Sequence, residues 1–318
     1  MVPDATLLDR FRADLDALIA PGERLGIAVS GGPDSLALLV LATAVRPGEI
    51  EAATVDHGLR TESRAEAAMV AEVCARLGVP HAILTADWPE PPVSAIQERA
   101  REMRYRLLAN WLGEQNLAAL LTGHHGDDQA ETIVMRLNRG SGVRGLAGMR
   151  PMARVPGTAF PLLRPLLGWR RGELQQICAN AGLSPVDDPS NEDEHYERVR
   201  IRRALAGSDL LDSAAAARSA RNLAEADEAL DWLADSLAPV RVTDDAEALR
   251  IDPDGLPREI LRRLLRIAFA RFHAPEPRGG DLERAIDTLA KGGTTTLSGL
   301  RLQGGAEWRL TAAPARRS

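Results

Sequence analysis

The chain has 318 residues, of which 45% are hydrophobic and 26% charged, and carries a net charge of −6. That length holds one large or two medium domains, and the composition is that of a globular protein. No apolar run reaches the roughly 18 residues that cross a bilayer, and Met1-Val2-Pro3-Asp4 lacks the basic-then-apolar pattern of a signal peptide. Cys74 and Cys178 make neither a disulfide framework nor a CxxC pair and read as buried small hydrophobes, so the expected compartment is cytoplasmic, with no membrane partner. Net acidity alone argues against a nucleic-acid partner, but the distribution of charge does not. Between Gln97 and Gly172 twelve arginines stand against six acids, and Arg198, Arg200, Arg202 and Arg203 follow.

Thr6 to Ala20 sets Leu7, Leu8, Phe11, Leu15 and Leu18 on one side, the pattern of an amphipathic helix. Leu25 to Val29 reads as a strand that breaks at Gly31-Gly32, after which Leu36 to Leu41 continues as helix. In Ser30-Gly31-Gly32-Pro33-Asp34-Ser35 the glycines let successive N–H groups converge on one anion. Pro33 suits a first helical turn, whose dipole also favours an anion. Ser30 and Ser35 offer hydroxyls, and Asp34 offers a carboxylate for Mg²⁺. The spacing is neither GxxxxGK[ST] nor GxGxxG. An ordinary glycine-rich turn between strand and helix has the same composition.

Ile50 to Val55 is a second strand, ending at Asp56-His57-Gly58-Leu59-Arg60, and Ser63 to Leu77 is helical. Val79 to Leu84 is a third strand, and Val93 to Leu112 a long helix bearing Arg99, Arg101, Arg104 and Arg106. Leu117 to Thr122 is a fourth, ending at Gly123-His124-His125, and Asp127 to Leu137 is helical. Strands alternating with helices imply an α/β fold with a Rossmann-like parallel sheet, in which ligands bind beyond the carboxyl ends of the strands. The segments richest in polar chemistry, Ser30–Ser35, Asp56–Arg60 and Gly123–Glu131, all fall at such ends. Asn138 to Met149 interleaves four glycines with Arg139 and Arg144, the composition of a mobile loop facing phosphate or of a plain surface connection.

Leu162 to Leu167 leads to a helix over Arg170 to Ala181, Asp187 to Asn191 is a turn, and Arg198 to Leu205 is a short basic helix. A linker near Ala206–Asp209 divides a first domain, 1–207, from a second, 208–318. The second is expected to be a smaller α+β domain. It has helices over Ala214–Leu237, Leu256–Phe272 and Asp281–Ala290, then a hairpin of Thr294–Leu302 with Glu307–Thr311.

His124, Asp128 and Glu131 stand at i, i+4 and i+7, one face of a helix that starts by His124. The two carboxylates can hold a cationic group or Mg²⁺, and His124 can move protons. A zinc-protease reading fails because HExxH is absent. Acidic capping of a helix start accounts for one of these acids but not for the whole group. Asp56 and His57 read equally as a turn pair or as neighbours of the glycine loop. The arginines of the long helix can be a solvated face, since Glu98 and Glu102 are at hand.

SGGPDS resembles the pyrophosphate loop (PP-loop) of the ATP pyrophosphatases. The ordered set SGGPDS, VDHGLR (Val55–Arg60), QERAREMRY (Gln97–Tyr105), TGHHGDDQAET (Thr122–Thr132), NRGSGVRGL (Asn138–Leu146), LLRPLL (Leu162–Leu167) and DPSN (Asp187–Asn191) resembles the tRNA(Ile)-lysidine synthetase family. The set covers about residues 20 to 205, and Pro277-Arg278-Gly279 with the final hairpin is similar to that family's tRNA-binding domain in its short form. The resemblance implies a PP-loop sheet that uses ATP and Mg²⁺ to adenylate the wobble cytidine of an isoleucine tRNA with a CAU anticodon, and free lysine as the attacking amine. It implies ATP at Ser30, Gly31, Gly32, Pro33, Asp34, Ser35, Asp56 and His57, with Asp34 on the metal. It implies catalysis by Asp34, His124, Asp128 and Glu131, with lysine held by Asp128 and Glu131, and tRNA contacts from Arg99, Arg104, Arg139 and Arg144. A homodimer is one assembly the sequence allows. A tRNA thiolase on the same loop would need reactive cysteines, which Cys74 and Cys178 do not resemble. A nucleotide sensor would need neither the His–Asp–Glu group nor the arginines.

Overall fold

In the computed structural model the apolar run Leu25–Ala28 is β1, a strand near the middle of a six-stranded sheet. Residues 3–58, 63–88, 96–186, 197–206, 212–245 and 248–313 are described. The chain forms two compact units, Met1–Gly140 with Gly145–Arg221, and Ser141–Arg144 with Asn222–Ser318.

In the first unit α1 (Ala5–Asp16) precedes β1, and α2 (Pro33–Val45), β2 (Ile50–Asp56), α3 (Ser63–Leu77), β3 (His81–Thr85), α4 (Ile96–Glu114) and β4 (Ala119–Leu121) alternate after it. Then come α5 (Gly126–Asn138), α6 (Val143–Leu146), β5 (Met152–Arg154), β6 (Pro161–Leu163), α7 (Arg171–Asn180) and α8 (Glu197–Ala206). The sheet order is β3-β2-β1-β4-β6-β5. Every pairing is parallel except β5 with β6. This is the expected α/β arrangement with a mostly parallel sheet. Parallel strands covered on both faces read as continuous apolar runs, and β1 and β4 do. Helix α2 is apolar on all sides, and residues Leu36 to Ala42 are buried without a break. It carries the loop after β1 into the middle of the core.

Two features of this unit differ from the expectation. Pro161–Leu163 is a fifth parallel strand rather than a lead into a helix, and it pairs with β4 through Leu120 and Leu121. The unit also continues past the expected boundary at 207, ending at Arg221 inside α9 (Ser213–Arg241). Ala216 and Ala220 explain the difference, because they pack against Ala130 and Ile133 of α5. Leu59, Arg60, the turn Asp187–Asn191 and the linker residues 207–209 lie outside the described residues.

The second unit is the expected α+β domain. After α9 come β7 (Val242–Asp245), β8 (Ala248–Ile251), α10 (Arg258–Arg271), α11 (Gly279–Ala290), β9 (Thr294–Leu297), β10 (Leu300–Gln303) and β11 (Trp308–Ala312). The strands form one antiparallel sheet in the order β7-β8-β11-β10-β9. The stretch Thr294–Leu302, expected as one arm of a hairpin, folds back on itself at Ser298 and Gly299. Among the described residues no helix is long and apolar enough to cross a membrane.

Candidate active site

The loop between β1 and α2 takes the shape its sequence requires. Gly31 has φ +86°, which favours glycine, whereas Gly32 has an extended backbone and caps α2, with Pro33 in the first turn. The Ser35 hydroxyl holds the loop from inside. It accepts from Ser30 N–H at 3.1 Å and donates to the Gly32 carbonyl at 3.0 Å. Asp34 stands in the first turn of α2, and its Oδ1 is buried without a hydrogen-bond partner.

The end of β4 closes against this loop. A Cβ on Gly123 would lie 2.8 Å from the carbonyl carbon and oxygen of Asp34 and 3.0 Å from Ser35 N. His125, 2% exposed, then caps α5. Its Nδ1 accepts from Asp127 N–H at 3.2 Å, while its own N–H donates to Asp128 Oδ2 at 3.0 Å, a capping box. With Nδ1 accepting, the proton sits on Nε2, which is 3.4 Å from Asp34 Oδ2 and 3.5 Å from Asp128 Oδ2. Burial works against charging His125, but the bond to Asp34 and the charges of Asp128, Asp34 and Asp127 raise its pKa above the ordinary histidine value. Asp127 also accepts the N–H of Arg171 at 2.8 Å, which ties the start of α7 to the site.

Helix α5 therefore begins after His124 rather than at it, and His124 is not on its face. Its Nδ1 lies 2.9 Å from the Thr122 hydroxyl. Burial, helped by Arg164, Arg198 and Arg101 and opposed by Asp128, pushes its pKa down to about 4. Asp128 and Glu131 do share a face of α5, and both are buried. They meet two arginines one turn apart on α8. Arg198 donates from Nη2 to Asp128 Oδ1 and from Nε to Glu131 Oε2, each at 2.7 Å, and Arg202 donates from Nε to Glu131 Oε1 at 2.7 Å. Burial opposes the charge on Asp128, yet His125, Arg198 and the His125 N–H hold its pKa below the usual carboxylate value.

Asp56, at the end of β2, is buried and accepts Gly58 N–H at 2.9 Å. His57 Nε2 lies 3.4 Å from Nε of Arg104 on α4. Arg99 is exposed on the same helix. Arg139 pairs with Glu197 at the start of α8. Arg144 belongs to the other compact unit and lies 3.4 Å from Asp231. The glycine-rich stretch is stitched down at its far end. Gln129 makes two bonds to the main chain of Met149, at 2.7 and 2.6 Å, and Arg136 Nη1 donates to the carbonyls of Gly145 and Gly148.

The site thus brings together Ser30–Ser35, His124, Asp128 and Glu131 around the ends of β1 and β4. Reasoning from sequence missed His125 as the link to Asp34, Arg198 and Arg202 as the partners of the acids, and Arg164 beside His124. The basic cluster at 198–203 was visible as composition, but its pairing with acids some seventy positions earlier was not.

A PP-loop domain family matches residues 6–208. The tRNA(Ile)-lysidine synthase of Novosphingobium aromaticivorans is 50% identical over 313 residues, covering 97% of this chain and 94% of that protein. The enzyme of the same name from Zymomonas mobilis is 45% identical, covering 92% and 90%. A U34-tRNA thiolase from Methanococcus maripaludis superposes with a TM-score of 0.58 at 17% identity, covering 70% of this chain and 78% of that one, a likeness of fold.

Proposed function

The chain belongs to the tRNA(Ile)-lysidine synthase family of PP-loop proteins, and from that premise we propose how its own residues carry the reaction. Free lysine is joined to C2 of the wobble cytidine in an isoleucine tRNA with a CAU anticodon, giving lysidine. First the C2 carbonyl oxygen attacks the α-phosphorus of ATP and pyrophosphate leaves. Then the lysine ε-amine attacks C2, AMP departs with that oxygen, and the nitrogen loses a proton. Adenylation is needed because a cytosine carbonyl oxygen is a poor leaving group and a phosphorylated one is good.

The Ser30–Ser35 loop and the first turn of α2 offer N–H groups and hydroxyls to the ATP phosphates. Asp56 and His57 line the next strand end. Asp34 suits Mg²⁺, since its buried Oδ1 lacks a partner and Mg²⁺ takes one or two carboxylates together with phosphate oxygens. When bound, the ion offsets charge on the phosphates. His125 orients Asp34 through Nε2.

Asp128 and Glu131 hold the ammonium charge of lysine. Arg198 and Arg202 orient them without exhausting their lone pairs, since a carboxylate accepts about four hydrogen bonds. His124 takes the proton released from nitrogen. Its low pKa keeps it unprotonated and ready, and an anion arriving beside Arg164, Arg198 and Arg101 raises that pKa toward a useful range. Arg99, Arg104, Arg139 and Arg144 contact tRNA phosphates.

The observation that supports this reading most is the closure of Gly123 on Asp34, because it joins the phosphate loop and the acids of α5 in one site. The test is incubation with ATP, Mg²⁺, labelled lysine and a CAU isoleucine tRNA transcript. Label is expected in the RNA, and it should disappear with Asp34→Ala. RNA that stays unlabelled with folded protein refutes the reading.

A further inference from the structure

Arg164 follows directly on β6 and is 8% exposed. Its N–H donates to the Pro151 carbonyl at 2.8 Å, and the Leu163 carbonyl beside it accepts Thr122 N–H at 3.1 Å. Arg164 therefore stands next to Gly123 and His124, at the carboxyl end of the neighbouring strand. Its Nη1 donates to the Arg150 carbonyl at 2.8 Å. Its Nε is buried with no hydrogen-bond partner, and no carboxylate pairs with the guanidinium among the described residues. The surroundings add positive charge instead. Burial lowers its pKa, Tyr105 opposes the change, and Arg101 adds to it.

A guanidinium buried without a counter-ion is unfavourable until an anion arrives. The unpaired edge at Nε matches a carboxylate, which arginine binds through two parallel bonds. Position argues for which anion this is. In the sheet order the phosphate loop is at β1, while Arg164 is at β6, with β4 between them. At about 4.8 Å per strand that puts the two ends roughly 10 Å apart. A free amino acid that presents its ε-amine to the reacting carbon keeps its anionic end away from that carbon. At 8% exposure Arg164 also favours a small ligand over the backbone of a large RNA.

We propose that Arg164 receives the α-carboxylate of the free lysine and thereby selects an amino acid over a simple amine. The proposal rests on the lysine reading of the site. The test compares lysine with cadaverine, the diamine that lysine becomes without its carboxyl group. The unaltered protein should prefer lysine by about 100-fold in kcat/KM, the size of a charge-assisted bidentate pair. Arg164→Gln should lower kcat/KM for lysine by about 100-fold relative to cadaverine, so that the preference between the two amines is lost, any change in His124 being common to both. Release of pyrophosphate from ATP and tRNA without amine should stay unchanged, which also shows that the variant is folded. Arg164→Lys keeps the charge but loses the forked edge, and should cost lysine about tenfold. Equal use of lysine and cadaverine by the unaltered protein overturns the proposal, as does an intact preference in either folded variant. Pyrophosphate release that falls together with lysine use assigns Arg164 to phosphate and overturns it too. An unaltered protein that incorporates no lysine at all refutes the lysine reading itself, a distinct outcome.

Discussion

Gly123→Ala tests whether the two halves of the site are rigidly joined. The added Cβ would lie 2.8 Å from the Asp34 carbonyl group, and an ordinary contact begins near 3.4 Å, so one backbone must retreat by about 0.6 Å. Neither neighbour can swing aside as a side chain could, because Asp34 is met through its main chain in the first turn of the buried helix α2. Overpacking of this kind costs about 1–3 kcal/mol. In a unit of this size that lowers Tm by about 2–4 °C per kcal/mol. The catalytic cost should be larger in proportion, since a misplacement of about 1 Å can remove about 100-fold in rate. A shift of about 0.6 Å then predicts a loss of about 10- to 20-fold in kcat for lysidine formation, measured with ATP, lysine and tRNA saturating. Gly172→Ala is the control. It lies in α7 with nothing within 4 Å of a Cβ, and alanine there should raise stability by about 0.5–1 kcal/mol without touching kcat. If Gly123→Ala keeps its kcat within twofold and its Tm unchanged, the closure is soft and the rigid coupling of loop and α5 is wrong.

Three further perturbations address other parts of the site. The folded pKa of His124 lies below its unfolded value of 6.5, so this residue removes stability as pH falls from 6.5 toward about 4. His124→Gln should flatten the decline of Tm across that window. His125 has the opposite sign and adds stability below its unfolded pKa that is lost as pH rises through its raised folded value, so an unchanged acid-side decline in His124→Gln would reject the assignment. Arg202→Gln strips one of the charged donors from buried Glu131 and should cost about 1–3 kcal/mol by chemical denaturation, whereas a neutral result would show the pair to be ornamental. If Arg99, Arg104, Arg139 and Arg144 each meet a phosphate, tRNA affinity should fall with salt at a log–log slope of about −3, and a flat dependence rejects that surface.

Most of the parallel sheet was legible because buried strands are short apolar runs set off by glycine and charge, as at Leu25–Ala28 and Ile50–Asp56. Strand β6 was hidden by its length of three residues and by Arg164-Pro165 directly after it. In the second unit β7 is polar on both faces after Val242 and β8 is interrupted by Arg250, so neither forms an apolar run. The polar residues at strand ends were legible as chemistry, but not as pairings. Two residues of difference in where α5 begins move His124 off the helix and make His125 its cap. No local pattern announces that Arg198 and Arg202 will meet Asp128 and Glu131, because that contact depends on tertiary packing between α5 and α8.

The stitching of the glycine-rich stretch has a consequence for how this region tolerates change. Gln129 bonds to the N–H and carbonyl of Met149, and Arg136 to two other carbonyls, so the anchor recognises main chain and is blind to the side chain at 149. The anchor therefore places no demand on the side chain at 149 beyond barring proline, which has no N–H to give. Gly148 has no such freedom, since a Cβ there would sit 2.4 Å from the Gln129 amide oxygen. The anchor thus sets different constraints on adjacent positions, shape at 148 and main chain at 149.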